Sequence, residues 1–530
     1  MKFIKPQTKR SRFLYLTVSG LISGFCMAFP SVFSAIIEWI AFIPAALVFY
    51  SAIEDRINLK DAYWGSFWLI YSQNVIVYHW FISFYPLEFT GMSKLAAAGV
   101  VIVAIFGLAL LAAIFGGLLG LIAVLVSRAR VTKRFPILLP VVATSAYVLN
   151  EWIRTQFWFG VPWGRLPLGQ LIDGVPLTVL SASIFGQYFV TFLIVIVSFL
   201  IAQGLYLERI KLRSIIAVSL AVVNLLIGII VYYIPNQPED TICVAAIQGN
   251  ISSRDKWDPT VSSLKIHLDL TRDAAIEGAD LIVWSETSVM TLDNRTLSLI
   301  SDICREYETN VLFGCFDYDD DNSPMNILRL VDSNGKLADT VYVKRHLVPF
   351  GEYVPMRSFV EFIFPPLAEI GMLSEDLLEG ENSELFTIRH NGKDVNLGGL
   401  ICFDSIYEEL SYQTASDGAD ILCVSTNDSW FEDSRAVYMH CAQSRLRAIE
   451  TGLSVVRAAN TGISATITKD GVVTETLDPL LRGYVISDID LSTPSANSSI
   501  GNTIVLILCF ISLAVLPIIE AIELLRKGRK

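Results

Sequence analysis

Positive charge is scarce where the chain is polar. Residues 235–501 hold 42 acidic but only 19 basic side chains. A stretch that acidic repels a phosphate backbone, which excludes nucleic-acid binding as its task. Cysteine is sparse too. None of the eight cysteines forms a CxxC pair, so a metal centre is not expected. Six of them (Cys243, Cys304, Cys315, Cys402, Cys423 and Cys441) lie in the acidic stretch, where disulfide pairing stays open. Internal repeats and low-complexity linkers are absent, so the stretch reads as one sizeable domain with its own core. No small-residue cleavage site follows the first apolar run, which is therefore expected to be a retained helix rather than a signal peptide.

What the chain has in abundance is apolar sequence. Of 530 residues 53% are hydrophobic and the mean hydropathy is +0.52, too high for an ordinary soluble protein. A bilayer core needs about 20 apolar residues per helix. Candidate spans fall near Phe13–Pro30, Val32–Ile53, Ala62–Phe84, Leu95–Val126, Pro136–Trp152, Leu177–Tyr206, Ser214–Ile234 and Asn502–Leu525. Lys2, Lys5, Lys9, Arg10 and Arg12 precede the first, and Arg56 and Lys60 follow the second. Arg128, Arg130, Lys133 and Arg134 follow the fourth, Arg209, Lys211 and Arg213 the sixth, and Arg526, Lys527, Arg529 and Lys530 end the chain. Only Lys94, Arg154 and Arg165 occupy the short loops between. Basic loops stay cytoplasmic, so eight spans put both termini inside and residues 235–501 outside. The expected organisation is seven spans in 1–234, an outward domain in 235–501, and an eighth span with a basic tail in 502–530.

Within the outward domain, short apolar runs alternate with helical patterns. Ile242–Ile247, Leu281–Trp284, Val311–Phe316, Ile327–Val331, Ala338–Val343, Val395–Ile401, Ser454–Arg457 and Ile463–Thr468 read as strands. Helices are expected near Pro259–Glu277, Arg295–Glu308, Ser405–Thr414 and 434–450, and hairpin turns at Asp332–Lys336, Asn391–Lys393 and Lys469–Gly471. Mixed strands with covering helices make a layered α/β sandwich, whose strand ends carry the chemistry.

Three such ends carry reactive side chains: Glu286 after DLIVWS, Lys344 after VYV, and Cys402 after GGLI. Cys402 stands at a strand-to-helix turn, where helix N–H groups favour a thiolate. A thiol of pKa about 8.5 is only slightly ionised at neutral pH, so it needs a base. Glu286 fits that need if burial raises its pKa. Lys344 offers a fixed positive donor for an oxyanion, with the backbone N–H of Phe403 as a second.

Glu, Lys and Cys in this order, each at a strand end, resemble the nitrilase superfamily of carbon–nitrogen hydrolases. A finer set of motifs resembles the bacterial apolipoprotein N-acyltransferases: KRHLVPFGEYVP from Lys344, WSET from Trp284, QGN from Gln248, KWDP from Lys256, NDSWF from Asn427 and EWIRTQFWFGVPW from Glu151. The resemblance implies eight membrane helices with an αββα sandwich between the last two. It makes Cys402 the nucleophile, Glu286 the base and Lys344 the oxyanion lysine, with Glu352 in support. Trp257 and Trp430 match aromatic positions that affect substrate handling, and Asn427 belongs to the same motif set. The family usually has tyrosine and glutamate after the nucleophile, where this chain has Phe403 and Asp404. The implied reaction moves a phospholipid acyl group, through a Cys402 thioester, to the α-amine of an apolipoprotein's S-diacylglyceryl cysteine. The implied setting is a bacterial inner membrane with a periplasmic catalytic domain, a monomer, and neither cofactor nor metal.

A lipid donor needs an entrance. The segment Met356–Gly380 contains FVEFIFPPL, which is either an apolar lid over an acyl chain, led by Phe359, Phe362 and Phe364, or part of the core. Glu151 and Arg154 either meet a headgroup or pair at the interface. Two other readings compete: a membrane-anchored amidase using the same triad, and a catalytically inactive transport or binding protein. Lipid-dependent thioester formation separates the acyltransferase from both.

Overall fold

The computed structural model describes residues 6, 8–55, 57–87, 93–157, 160–207, 210–234, 240–252, 262–363 and 375–527. The chain divides into two compact units: Met1–Phe81, Ala98–Ile234 and Asn497–Lys530 form one, and Ile82–Ala97 with Pro235–Ala496 the other.

The first unit is helical, with helices at all eight expected positions. Among the described residues six are long and apolar enough to cross a membrane: Lys9–Ala28, Val32–Glu54, Lys94–Ser127, Gln187–Tyr206, Ile210–Tyr233 and Asn497–Ala514. The helices Leu59–Val77 and Leu138–Ile153 lie at the other two expected positions but fall short of that measure. Leu59–Val77 is more polar because Ser72, Gln73 and Asn74 turn inward and are buried. Gln73 Nε2 donates to Ser23 Oγ at 2.9 Å and to Tyr147 Oη at 2.6 Å, polar links of the kind that join helices where water is absent. Three expected spans are less regular than their apolarity suggested. Val32–Ile53 is broken between Glu38 and Ile43, Ala62–Phe84 ends as a 3-10 turn over Tyr78–Phe84, and the sixth helix begins only at Gln187. Glu151 and Arg154 are buried within this unit. Glu151 accepts from Leu166 N and Thr191 Oγ1, and Arg154 donates to Asn74 Oδ1 and to the Gly164 carbonyl. Both therefore brace helices, and the headgroup reading does not hold.

The second unit is a four-layer αββα sandwich. The strands are β1 Asp240–Gln248, β2 Leu281–Val283, β3 Val289–Thr291, β4 Asn310–Tyr318, β5 Pro324–Val331, β6 Tyr342–Val343, β7 Leu385–His390, β8 Lys393–Ile401, β9 Ile421–Thr426, β10 Ser454–Ala459, β11 Ser464–Ile467, β12 Val473–Leu477 and β13 Gly483–Leu491. One sheet runs β13-β1-β2-β4-β5-β6, with β3 paired to β4; the other runs β12-β11-β10-β9-β8-β7. Side chains alternate across each sheet. Ile242, Val244 and Ala246 of β1 meet Phe386, Leu397, Ile401 and Val456 of the facing sheet. Ala245 and Ile247 of the same strand pack outward with Leu268 and Ile300 of the covering helices Ser263–Ile276 and Asn294–Tyr307. Helices Glu408–Ser416 and Arg435–Thr451 cover the other sheet. Burial on both faces explains why these strands read as unbroken apolar runs.

The three expected hairpins form. Asn391 and Gly392 both have positive φ in the two-residue turn between β7 and β8, as a primed hairpin turn requires. Phe84 stacks on Phe431 with ring centroids 5.9 Å apart, one reason that residues 82–97 group with the sandwich. All eight cysteines are free thiols, which closes the open disulfide question.

Candidate active site

The site grows from the ends of β2, β6 and β8. After β2, Trp284 is fully buried and its indole donates to Thr271 Oγ1 at 2.8 Å. Ser425 of β9 donates to the Trp284 carbonyl at 2.9 Å, tying the two sheets together just before Glu286. The chain then turns through Thr287, which has φ +48°. Gly314 of β4 permits that turn. A Cβ there would lie 2.7 Å from Thr287 N and 3.0 Å from Glu286 Cα, both backbone atoms that cannot step aside. Gly314→Ala is therefore expected to destabilise the protein by about 1–3 kcal/mol through overpacking. A melting curve checks this, and a native melting temperature rejects it.

Lys344 follows β6 and is 1% exposed. Its Nζ lies 3.0 Å from Glu286 Oε1 and 2.8 Å from Glu352 Oε1. Burial opposes its charge, but Glu286, Glu352 and Cys402 outweigh it and hold the ammonium well above its usual pKa. Asn326 of β5 ties the group together, donating to Glu286 at 2.7 Å and to Glu352 at 3.2 Å. The second Glu352 oxygen accepts from Val348 N at 2.8 Å.

Cys402, the first residue after β8, lies in the left-handed region, φ +49°, an uncommon conformation for a residue with a side chain. The residue as a whole is half-buried. The expected helix N-terminus is not immediately there. Residues Cys402–Ile406 form a 3-10 turn, and the helix proper starts at Glu408 with Glu408 and Glu409 in its first turn. Burial and the neighbouring Glu286 push the pKa of the Cys402 thiol up, against Lys344 and a Thr426 hydrogen bond that lower it.

The structure thus gathers Glu286, Lys344, Glu352 and Cys402. Asp404 is fully buried and works as a pin. It accepts from Tyr342 Oη at 2.8 Å, His346 N at 2.7 Å and Ile401 N at 3.0 Å, joining the Lys344 and Cys402 strand ends. Burial raises its pKa, with Lys344 pulling the other way. Phe403 is buried edge-on against Tyr407 at 5.4 Å. Asn427 accepts from Asn460 Nδ2 at 3.0 Å, and Asn460 also binds Ile251 through Oδ1 and Nδ2, which holds the turn after β9 to the loop after β1. Gln248 bonds Asp478, Leu481 and Ser464. Trp430 is half-buried in the turn after β9. Trp257 and Phe364 lie outside the described residues. Phe359 and Phe362, on the short helix Arg357–Ile363, are 57% and 86% exposed, which removes the core reading for both. Asn326 does not stand out in the sequence; an asparagine inside the apolar strand MNILRL was its signal.

The carbon–nitrogen hydrolase profile matches residues 243–496, and the apolipoprotein N-acyltransferase N-terminal domain profile matches 19–200. An apolipoprotein N-acyltransferase of Geobacter metallireducens is 30% identical over 497 residues, covering 90% of this chain and 89% of the relative. The chain belongs to the apolipoprotein N-acyltransferase family. The family's counterpart in Haemophilus ducreyi is 26% identical, covering 77% of this chain and 81% of the relative. Among solved structures, a nitrilase-superfamily amidase of Nesterenkonia aligns with a TM-score of 0.37 at 16% identity, over 50% of this chain and 95% of the amidase. Membership in the N-acyltransferase family makes the protein a membrane-embedded acyltransferase of bacterial lipoprotein biosynthesis.

Proposed function

We propose that Cys402 is the nucleophile of a two-step acyl transfer, with Glu286 as its base and Lys344 as the cationic donor to the oxyanion. In the first step Glu286 takes the thiol proton as sulfur attacks the sn-1 ester carbonyl of a phospholipid. The ester C–O bond then breaks, a lysophospholipid leaves with the proton, and the acyl group stays on sulfur as a thioester. In the second, the α-amine of the S-diacylglyceryl cysteine of an apolipoprotein attacks that thioester and loses a proton to Glu286, the C–S bond breaks as the amide forms, and Glu286 returns the proton to the sulfur. The Phe403 backbone N–H joins Lys344 at the oxyanion. The observation that carries this reading is the buried Lys344 clamped between Glu286 and Glu352, with its charge coupled to Cys402. Such a preorganised cation favours the transition state more than the neutral ester. The nucleophile, base and lysine come from one chain, which supports a working monomer.

The basic loops support eight spans with both termini cytoplasmic, and residues 235–501 periplasmic between the spans of 1–234 and 502–530. Incubation of the purified protein in phospholipid vesicles without acceptor is expected to add one acyl mass to the Cys402 peptide. A peptide that stays unmodified rejects the covalent route.

The exposed Phe359 and Phe362 support a lid that meets lipid. Burying a phenylalanine in hydrocarbon is worth about 1.5–3 kcal/mol, so Phe359→Ser with Phe362→Ser is expected to slow capture of phospholipid at least roughly tenfold. Alkylation of Cys402 by a small thiol reagent should proceed at its native rate. Equal acylation rates in the double variant and the native protein would remove the lid.

A further inference from the structure

A second buried charged cluster lies against the nucleophile, and the acyl-transfer steps above do not use it. Asp428, two residues beyond β9, His440, on the helix Arg435–Thr451, and Arg457 of β10 are each 0% exposed. A carboxylate oxygen of Asp428, a ring nitrogen of His440 and the Cys402 sulfur all lie within 4.8 Å of one another. By composition this is a cysteine with a histidine base and an orienting acid. The orientation says otherwise. His440 Nδ1 lies 2.9 Å from Asp428 Oδ1, and Nε2 lies 3.1 Å from the Cys402 carbonyl oxygen and 3.2 Å from Ser405 Oγ. Ser405 Oγ already donates to that carbonyl at 2.8 Å. Nε2 therefore faces two oxygens whose acceptor lone pairs point at it, and it holds them by donating a proton. In that role it is a donor and not a base.

Asp428 does not serve as the base either. Burial would raise its pKa, yet His440, Arg457 and the Thr426 hydroxyl hold it down at about 2. Arg457 Nη2 lies 2.9 Å from Asp428 Oδ2 and Thr426 Oγ1 3.1 Å from Oδ1. Arg457 is itself held by Ser444 Oγ and the Ile463 carbonyl. This chain of fixed groups ends at one atom, the carbonyl oxygen of the residue with φ +49°. A strained backbone persists only where its surroundings over-determine it. We infer that Asp428 and His440 form a positioning dyad that holds the Cys402 carbonyl, and through it the strained turn that aims the sulfur at Glu286 and Lys344. This rests on Cys402 being the nucleophile.

The test compares His440→Leu with His440→Gln, whose amide N–H can replace Nε2. Single-turnover thioester formation from phospholipid vesicles is expected to fall roughly 100-fold in His440→Leu, the scale of a small misplacement of a reacting atom. The KM for phospholipid should stay within about twofold, because binding is not touched. His440→Gln is expected to recover most of the rate. Native rates in a folded His440→Leu protein, or equal losses in both variants, overturn the dyad. If the leucine variant fails to fold, Ser405→Ala removes the other donor to the same carbonyl. It is expected to slow acylation about tenfold with an unchanged melting temperature, and a native rate overturns the dyad. Cys402→Ala separates the two levels: turnover surviving there rejects the nucleophile, whereas a dead Cys402→Ala beside a fast His440→Leu rejects only the dyad.

Discussion

Cys402→Ala is expected to leave a protein that folds and inserts but transfers no acyl group. Of the other thiols of the sandwich, Cys304, Cys315, Cys423 and Cys441 are buried in its packing and the half-buried Cys243 sits on β1 beside Asp280 and Asp488, so none is expected to stand in for the lost sulfur. Cys402→Ser is expected to form little or no acyl-enzyme, since an alkoxide is far harder to generate than a thiolate in the same surroundings. The fold should tolerate either change, because the strain at this turn belongs to the backbone and both replacements keep a Cβ. The measurement is acyl transfer to a lipoprotein substrate in vesicles, alongside the mass of the residue 402 peptide. Transfer by Cys402→Ala above the no-enzyme background would end the covalent mechanism.

Lys344→Met is the second large effect, and it is expected to strike activity and stability together. The lysine is fully buried between two carboxylates, so its removal leaves Glu286 and Glu352 facing each other with only the Asn326 amide between them. Breaking a buried pair by deleting one partner costs about 3–5 kcal/mol. Losing one oxyanion donor costs a further 100- to 1,000-fold in rate, on the order of 2.7–4 kcal/mol of barrier. The two effects separate in a double variant. Lys344→Met with Glu352→Gln removes one of the opposed charges, and is expected to regain part of the melting temperature while acyl-enzyme formation stays lost. If the double variant regained both, the lysine would be a structural counter-charge only. Normal thioester formation in a folded Lys344→Met protein would likewise reduce the lysine to that structural role.

Much of this was legible in the chain itself. The alternation of basic loops, the apolar runs and the acidic block reveal a membrane part and a water-facing part, because charge and hydropathy are properties of composition and need no geometry. The three strand-end residues were legible for a related reason. In a sandwich covered on both faces, strands are unbroken apolar runs, so a charged residue at their margin stands out. Helix regularity was less legible, since Gly186, with φ +75°, sets where the sixth helix starts, and hydropathy windows average over such breaks.

What the sequence by itself determined is therefore the division of labour: which stretch meets lipid, which meets water, and that Glu286, Lys344 and Cys402 come to strand ends. What only the tertiary structure decided is the contacts. Glu352 and Asn326 complete the lysine's setting, Asp404 pins two strand ends, and His440, held by Asp428, meets the Cys402 carbonyl. None of these follows from spacing, because a polar side chain's job depends on which atoms lie within about 3 Å of it. Those atoms come from strands and helices far apart in the chain, brought together only when the two sheets close on their shared core.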